Sequence, residues 1–140
     1  MTAMAIVNSV VFFLLGALHF YWAVGGKWAT DEVVPTKPTG EKLFTTSALS
    51  CVLVGSGLWL MSFVHVANAG LIFKGSDFTI FRYSTLAIGI IFLVRFMGDF
   101  KWVGLFKKVK GTSFAKNDAL YYTPLFLFLS ISSFVLFFVQ

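Results

Sequence analysis

ALYYTPLFLFLSISSFVLFFV, residues Ala119 to Val139, decides how this chain is read: twenty-one consecutive positions carry no charge. A helix crossing a bilayer needs about 20 mostly apolar residues. Working outward, three more runs of that kind precede it. The four predicted helices cover about 3–24, 41–67, 78–100 and 118–139, and residues 1–140 read as one integral membrane domain. The fold class is therefore all-α, a four-helix transmembrane bundle with short loops. Mean hydropathy of +0.85, with 58% hydrophobic and 12% charged residues, leaves little for a soluble domain. The 18 phenylalanines suit helix faces that meet lipid.

The net charge of +5 does not point to nucleic acid. The lysines cluster in loops beside apolar helices, where they set orientation and meet anionic headgroups. The side carrying loops one and three collects eight lysines and Arg95; the other side holds Lys74 and Arg82. The positive-inside rule then puts loops one and three in the cytoplasm and both termini outside. The expected location is the bacterial cytoplasmic (inner) membrane, crossed several times. Met1 to Ser9 has no basic leader, and Leu18 to Trp22 is too bulky for a signal-cleavage site, so the first helix is expected to be retained.

Local signals refine the elements. Gly25-Gly26 should end helix one, since glycine adopts left-handed dihedrals without penalty. Pro35 and Pro38 stiffen loop one, Trp28 belongs at headgroup depth, and Thr39 is a candidate N-cap for helix two. Ser47, Cys51 and Gly55, four apart, form a small-residue face suited to close helix packing. Cys51 is the only cysteine and has no CxxC partner. Loop two spans Asn68 to Phe78. Loop three, Lys101 to Asn117, reads as a short surface helix burying Trp102, Val103, Leu105, Phe106 and Val109. For helix four, either Asn117 or Asp118 caps it and Pro124 kinks it, or Thr123 caps it and Pro124 takes the first position.

Polar residues converge on one end of this topology. His19, Tyr21 and Trp22 lie near the cytoplasmic end of helix one, Arg95 and Asp99 in the last turns of helix three, and Asp118 and Tyr122 at the start of helix four. Ionisable groups at membrane depth are costly and usually face the protein interior. Arg95 and Asp99, four apart, are able to pair, and Asp118 is a second partner for Arg95. These seven are the candidate ligand-binding residues. Arg82 reads as a snorkelling anchor, and His65, toward the outer end of helix two, as an interface residue. No metal site is expected, because no HExxH or similar spacing occurs. No cofactor is predicted: His19 and His65 fall near opposite faces and do not readily share a haem iron.

The strings His19-Phe20-Tyr21-Trp22-Ala23-Val24-Gly25-Gly26-Lys27-Trp28, Arg95 through Gly98 and Asp99, and Phe114-Ala115-Lys116-Asn117-Asp118 followed by Tyr122-Thr123-Pro124-Leu125 resemble a family. It comprises small four-helix bacterial membrane proteins classed only as a domain of unknown function. The likeness covers nearly the whole chain. The family's last string usually has an aromatic or basic residue before the aspartate, where this chain has Asn117. The resemblance implies the same bundle and no set activity.

The leading expectation is a membrane protein with a polar pocket near the cytoplasmic leaflet that binds or transports a small molecule or lipid. One alternative is an intramembrane enzyme on a lipophilic substrate, with His19 and Asp99 or Asp118 as acid–base pair. Another is a membrane subunit that stabilises a partner protein through the Ser47, Cys51 and Gly55 face. The partners expected are the lipid bilayer, a small-molecule or lipid ligand, and a second copy or a membrane partner; nucleic acid is not among them.

Overall fold

A computed structural model describes residues 1–73 and 79–139. Among them all regular structure is helical, apart from an isolated bridge pairing Thr36 with Lys42. The helices are α1 (Thr2–Ala23), α2 (Thr30–Val33), α3 (Ala48–Asn68), α4 (Thr79–Met97), α5 (Ser113–Asn117) and α6 (Thr123–Val139). A π-helical turn, Asp118–Tyr122, joins α5 to α6, making one continuous span. Four helices are thus long and apolar enough to cross a membrane: α1, α3, α4 and the 27-residue run Ser113–Val139. Lys74, Gly75 and Phe78, expected in loop two and at the start of helix three, lie outside the described residues.

Two antiparallel pairs build the bundle. In the first, α1 and α3 approach closely because Gly16 and Gly55 face each other. A side chain at Gly16 would collide with Trp59, and one at Gly55 would press on Phe20 and the Gly16 carbonyl. Cys51 and Gly55 are buried in this contact, while Ser47 caps the helix. In the second pair, the Ser130 hydroxyl donates to the Gly89 carbonyl (2.9 Å). Arg82 Nε donates to the Phe137 carbonyl (3.0 Å), and its guanidinium lies over the Phe137 ring. Arg82 therefore caps the last turn of α6, where carbonyls lack helical partners. Phe12, Leu58, Val64, Ile88, Phe92 and Leu129 join the pairs in one apolar core.

The Gly25-Gly26 break forms as expected. Gly25 is left-handed (φ +94), with Gly25 N–H bonding to the Trp22 carbonyl and Gly26 N–H to that of Tyr21. This double bond pattern closes a helix end around a left-handed residue. The start of the second span differs from expectation: it is Ala48, seven residues after Glu41. Gly40 (φ +88) turns the chain back, so Lys37 N–H bonds to the Glu41 carbonyl and Leu43 N–H to that of Pro35. The Glu41 carbonyl is one that a helix from 41 would need for its first bond. The cap is Ser47, in place of Thr39, through reciprocal bonds of 3.1 Å with Ser50.

Loop three is not a surface helix. Gly98 (φ +84) ends α4, and its backbone packs directly on Val103 and Gly104. The chain folds back so that Leu105 N–H reaches the Phe96 carbonyl (2.8 Å) and Phe106 N–H that of Met97. Those carbonyls are orphans of the last turn of α4, and satisfying them takes priority over helical periodicity in 101–109. Leu105 and Phe106 are left about half exposed.

Neither expected start of helix four occurs. The span begins at Ser113, capped by Thr112, whose hydroxyl accepts from Ala115 N–H (3.0 Å). Pro124 then falls inside the span. Proline lacks an N–H and its ring clashes with the carbonyl four residues back. The π turn, in which Thr123 N–H bonds to the Asp118 carbonyl, relieves the helix there.

Candidate functional site

Loop three and the start of the fourth span together build a charged cluster. Asp118 is fully buried in the π turn. Its Oδ2 accepts from Gly104 N–H (2.9 Å) and pairs with Lys107 Nζ at 3.1 Å. The ammonium of Lys107, itself only 8% exposed, also donates to the Gly104 carbonyl (3.2 Å). The folded-back loop is therefore fastened to the fourth span by one carboxylate and one lysine. Asp99 fastens the same loop internally: its Oδ1 accepts from the N–H groups of Lys101, Trp102 and Val103 at 3.0, 2.7 and 3.0 Å. Partial desolvation acts to raise the Asp99 pKa, but the backbone N–H bonds outweigh it and hold the carboxyl below its ordinary range.

Arg95 stands beside this cluster. Its guanidinium lies 4.8 Å from the centre of the Phe126 ring and within electrostatic reach of Asp118 and Asp99. Arg95 Nη1, Asp118 Oδ1 and Thr123 Oγ1 are buried without hydrogen-bond partners. Buried polar groups are normally satisfied; these three are exceptions, and being buried they do not open to solvent. Next to them lies an open cleft of about 400 Å³ lined by Leu105, Lys107, Lys110, Lys116, Ala119 and Thr123, among others. Among the described residues Lys110 and Lys116 form no ion pair.

The other expected residues lie apart from the charged cluster. His19 Nδ1–H donates to the Leu15 carbonyl (2.8 Å), and its ring meets Trp22 edge-on at 5.0 Å. Trp22 Nε1–H donates to the Trp28 carbonyl (2.8 Å), and the Tyr21 hydroxyl accepts from Trp28 N–H (3.4 Å). Trp22 and Tyr21 thus fold the end of α1 onto loop one, and His19 packs behind Trp22. Tyr122 donates to the Glu32 carbonyl (3.2 Å), tying α2 to the fourth span. The structure thus brings Arg95 and Asp118 together, with Asp99 nearby, and gives His19, Tyr21 and Trp22 to a separate aromatic rim. Lys107 was not among the expected residues, because nothing in the sequence separates it from the other loop lysines.

A second polar group lies inside the other half of the bundle, and it corrects the reading of His65. That residue is fully buried rather than interfacial. Its Nδ1–H donates to the Met61 carbonyl (2.9 Å), Nε2 accepts from Ser133 (3.3 Å), and Phe12 packs against the ring. Around it Ser62 bonds to Ser9, Ser132 donates to Asn8 Oδ1 (3.0 Å) and Asn68 donates to Thr85 (3.2 Å). These bonds cross between helices at a depth where polar atoms need protein partners. The signal in the sequence was there: a polar residue on successive turns of otherwise apolar runs. Among the described residues no three His, Cys, Asp or Glu side chains gather as a metal site.

No curated protein and no solved structure matches the chain. A family model described as a protein of unknown function (DUF3995) matches residues 12–133, from the middle of α1 to the last turns of α6, and the chain, a multi-pass membrane protein, belongs to that family.

Proposed function

We propose that this protein binds an anionic, phosphate-bearing ligand in the lysine-lined cleft between loop three and the start of the fourth span. The observation that carries this reading is the cleft's charge. Lys107, Lys110 and Lys116 line it, and Asp118, in the wall behind, is already engaged by Lys107 and the loop backbone. The uncompensated positive charge of Lys110 and Lys116 is left to attract an anion. Thr123 also lines the cleft, with its hydroxyl buried in the wall. Arg95 and Asp118 act from behind, by positioning the wall; His19, Tyr21, Trp22 and Tyr122 order the surrounding loops, and Asp99 holds the shape of loop three.

The depth of the cleft fits such a ligand. The span Ser113–Val139 has 27 residues and is about 40 Å long at about 1.5 Å per residue. The hydrocarbon core is about 30 Å thick, so one end of the span stands in the headgroup layer. The charged and polar end, which carries the cleft, is the end that belongs there. By the positive-inside rule that end faces the cytoplasm, and the membrane is the inner membrane of a bacterium.

The test is titration of the detergent-solubilised protein with glycerol 1-phosphate, followed by calorimetry. The K110Q/K116Q variant should bind at least about tenfold more weakly, equivalent to about 1.4 kcal/mol. Equal affinity in both proteins would sink the reading.

A further inference from the structure

The geometry points to a phospholipid as the occupant of the lysine cleft, seated with its headgroup phosphate among the lysines and one acyl chain in a groove between α6 and α1. This inference rests on the anion-binding reading above. The groove has a volume of about 290 Å³ and is walled mainly by Met4, Pro124, Leu127, Phe128, Ile131 and Val135. It opens because α1 is held tightly by α3 and α6 by α4, while α1 and α6 touch much less.

Cleft and groove are both lined by the fourth span. Ala115, Ala119 and Thr123 line the cleft; Leu127, Ile131 and Val135 line the groove. Beyond Thr123 each step of four residues turns about 40° further round the axis at about 3.6 residues per turn, so this row winds along the span from the cleft toward the groove. The polar part ends at Thr123 and the apolar part begins at Pro124, the next residue. A ligand following this row meets ammonium groups first, then hydrocarbon.

The length also matches. Thr123 to Val135 covers about 18 Å at about 1.5 Å per residue, against about 15 Å for one leaflet of hydrocarbon. A free phosphate or a soluble phosphate ester would fill the cleft and leave the groove without use. An anionic phospholipid uses both, and its headgroup falls at the depth assigned to the cleft.

The experiment is native mass spectrometry of the full chain released from nanodiscs containing equal parts of phosphatidylglycerol and phosphatidylcholine. It is paired with glycerol 1-phosphate titration of the same variants. The wild type should retain one phosphatidylglycerol, at least about tenfold over phosphatidylcholine. Ile131→Trp, which fills the groove at a half-exposed position, should lower retention at least about fivefold and leave glycerol 1-phosphate binding unchanged; Leu127→Phe gives a second, smaller obstruction should the first fail to fold. K110Q/K116Q should lose both. If glycerol 1-phosphate binds and neither groove variant changes lipid retention, the lipid assignment falls while anion binding stands. If the wild type binds neither probe, both fall. If the groove variants instead convert a dimer to a monomer, the groove is a contact between two copies and the lipid assignment is overturned.

Discussion

Asp118 shows how much one carboxylate organises. It is fully buried, yet it holds both a backbone N–H of loop three and the ammonium of Lys107. Removing one member of a buried pair leaves the other charge unpaired and costs about 3–5 kcal/mol. Asp118→Asn keeps an acceptor for Gly104 and abolishes the charge, so thermal unfolding in detergent should show a loss of that order. The double variant K107M/D118N should be less destabilised than D118N alone, because replacing both charges removes the uncompensated ion. Asp99 offers a pH test of the same loop. Its folded pKa lies below the unfolded value, so its contribution is present above the unfolded pKa and is lost as pH falls through the folded one. A carboxyl titration followed by NMR should have its midpoint below the 3.8 of an unperturbed aspartate, and D99A should abolish the associated shifts of the Lys101 to Val103 amides.

At the scale of elements, the sequence declared its spans by uninterrupted apolar runs and its breaks by glycine. Gly25-Gly26 was legible because a left-handed residue followed by a polar loop has few other readings. The start of α3 was not. Residues 41–47 contain nothing that forbids a helix, and only the backbone pairing across Gly40 withholds them from one. The Ser47–Ser50 box was visible as a pair of serines three apart, but serine is less telling there than the usual glutamate. Ser47→Ala should cost about 1 kcal/mol and speed amide exchange at Ser50 and Cys51, with the rest of α3 unaffected. The start of the fourth span is hidden for a different reason. A residue inserted into a helix leaves the composition unchanged, so Pro124 looked like a start or a kink, and the π turn that accommodates it had no distinct pattern. Loop three defeated periodicity too: its apolar residues have helical spacing, but Gly98 and Gly104 pack backbone on backbone and bend the chain back.

Across the whole molecule, the convergence of polar residues on one end was readable from topology alone, whereas the partners within that end were not. Arg95 lies within electrostatic reach of Asp118 and Asp99 but, among the described residues, forms no ion pair with either; Lys107 takes the Asp118 carboxylate instead, and only because the loop folds back. The orientation assigned here is open to direct chemistry. Cys51 is buried, so the chain has a low background for thiol labelling. With a membrane-impermeant maleimide on intact spheroplasts, Leu71→Cys should react at once and Lys110→Cys only after lysis. The reverse pattern would turn the bundle over.

The fourth span is longer than its neighbours: 27 residues against 22, 21 and 19. Such a protein does not fit every bilayer equally. In a membrane of longer acyl chains, hydrocarbon climbs along the surplus turns and reaches Lys116 and Lys110, whose charges resist immersion; the bundle must then tilt or thin the lipid around it. Reconstituted in a series from 14-carbon to 22-carbon lipids, glycerol 1-phosphate affinity should fall once the bilayer outgrows the three shorter helices, making this end of the protein a gauge of membrane thickness.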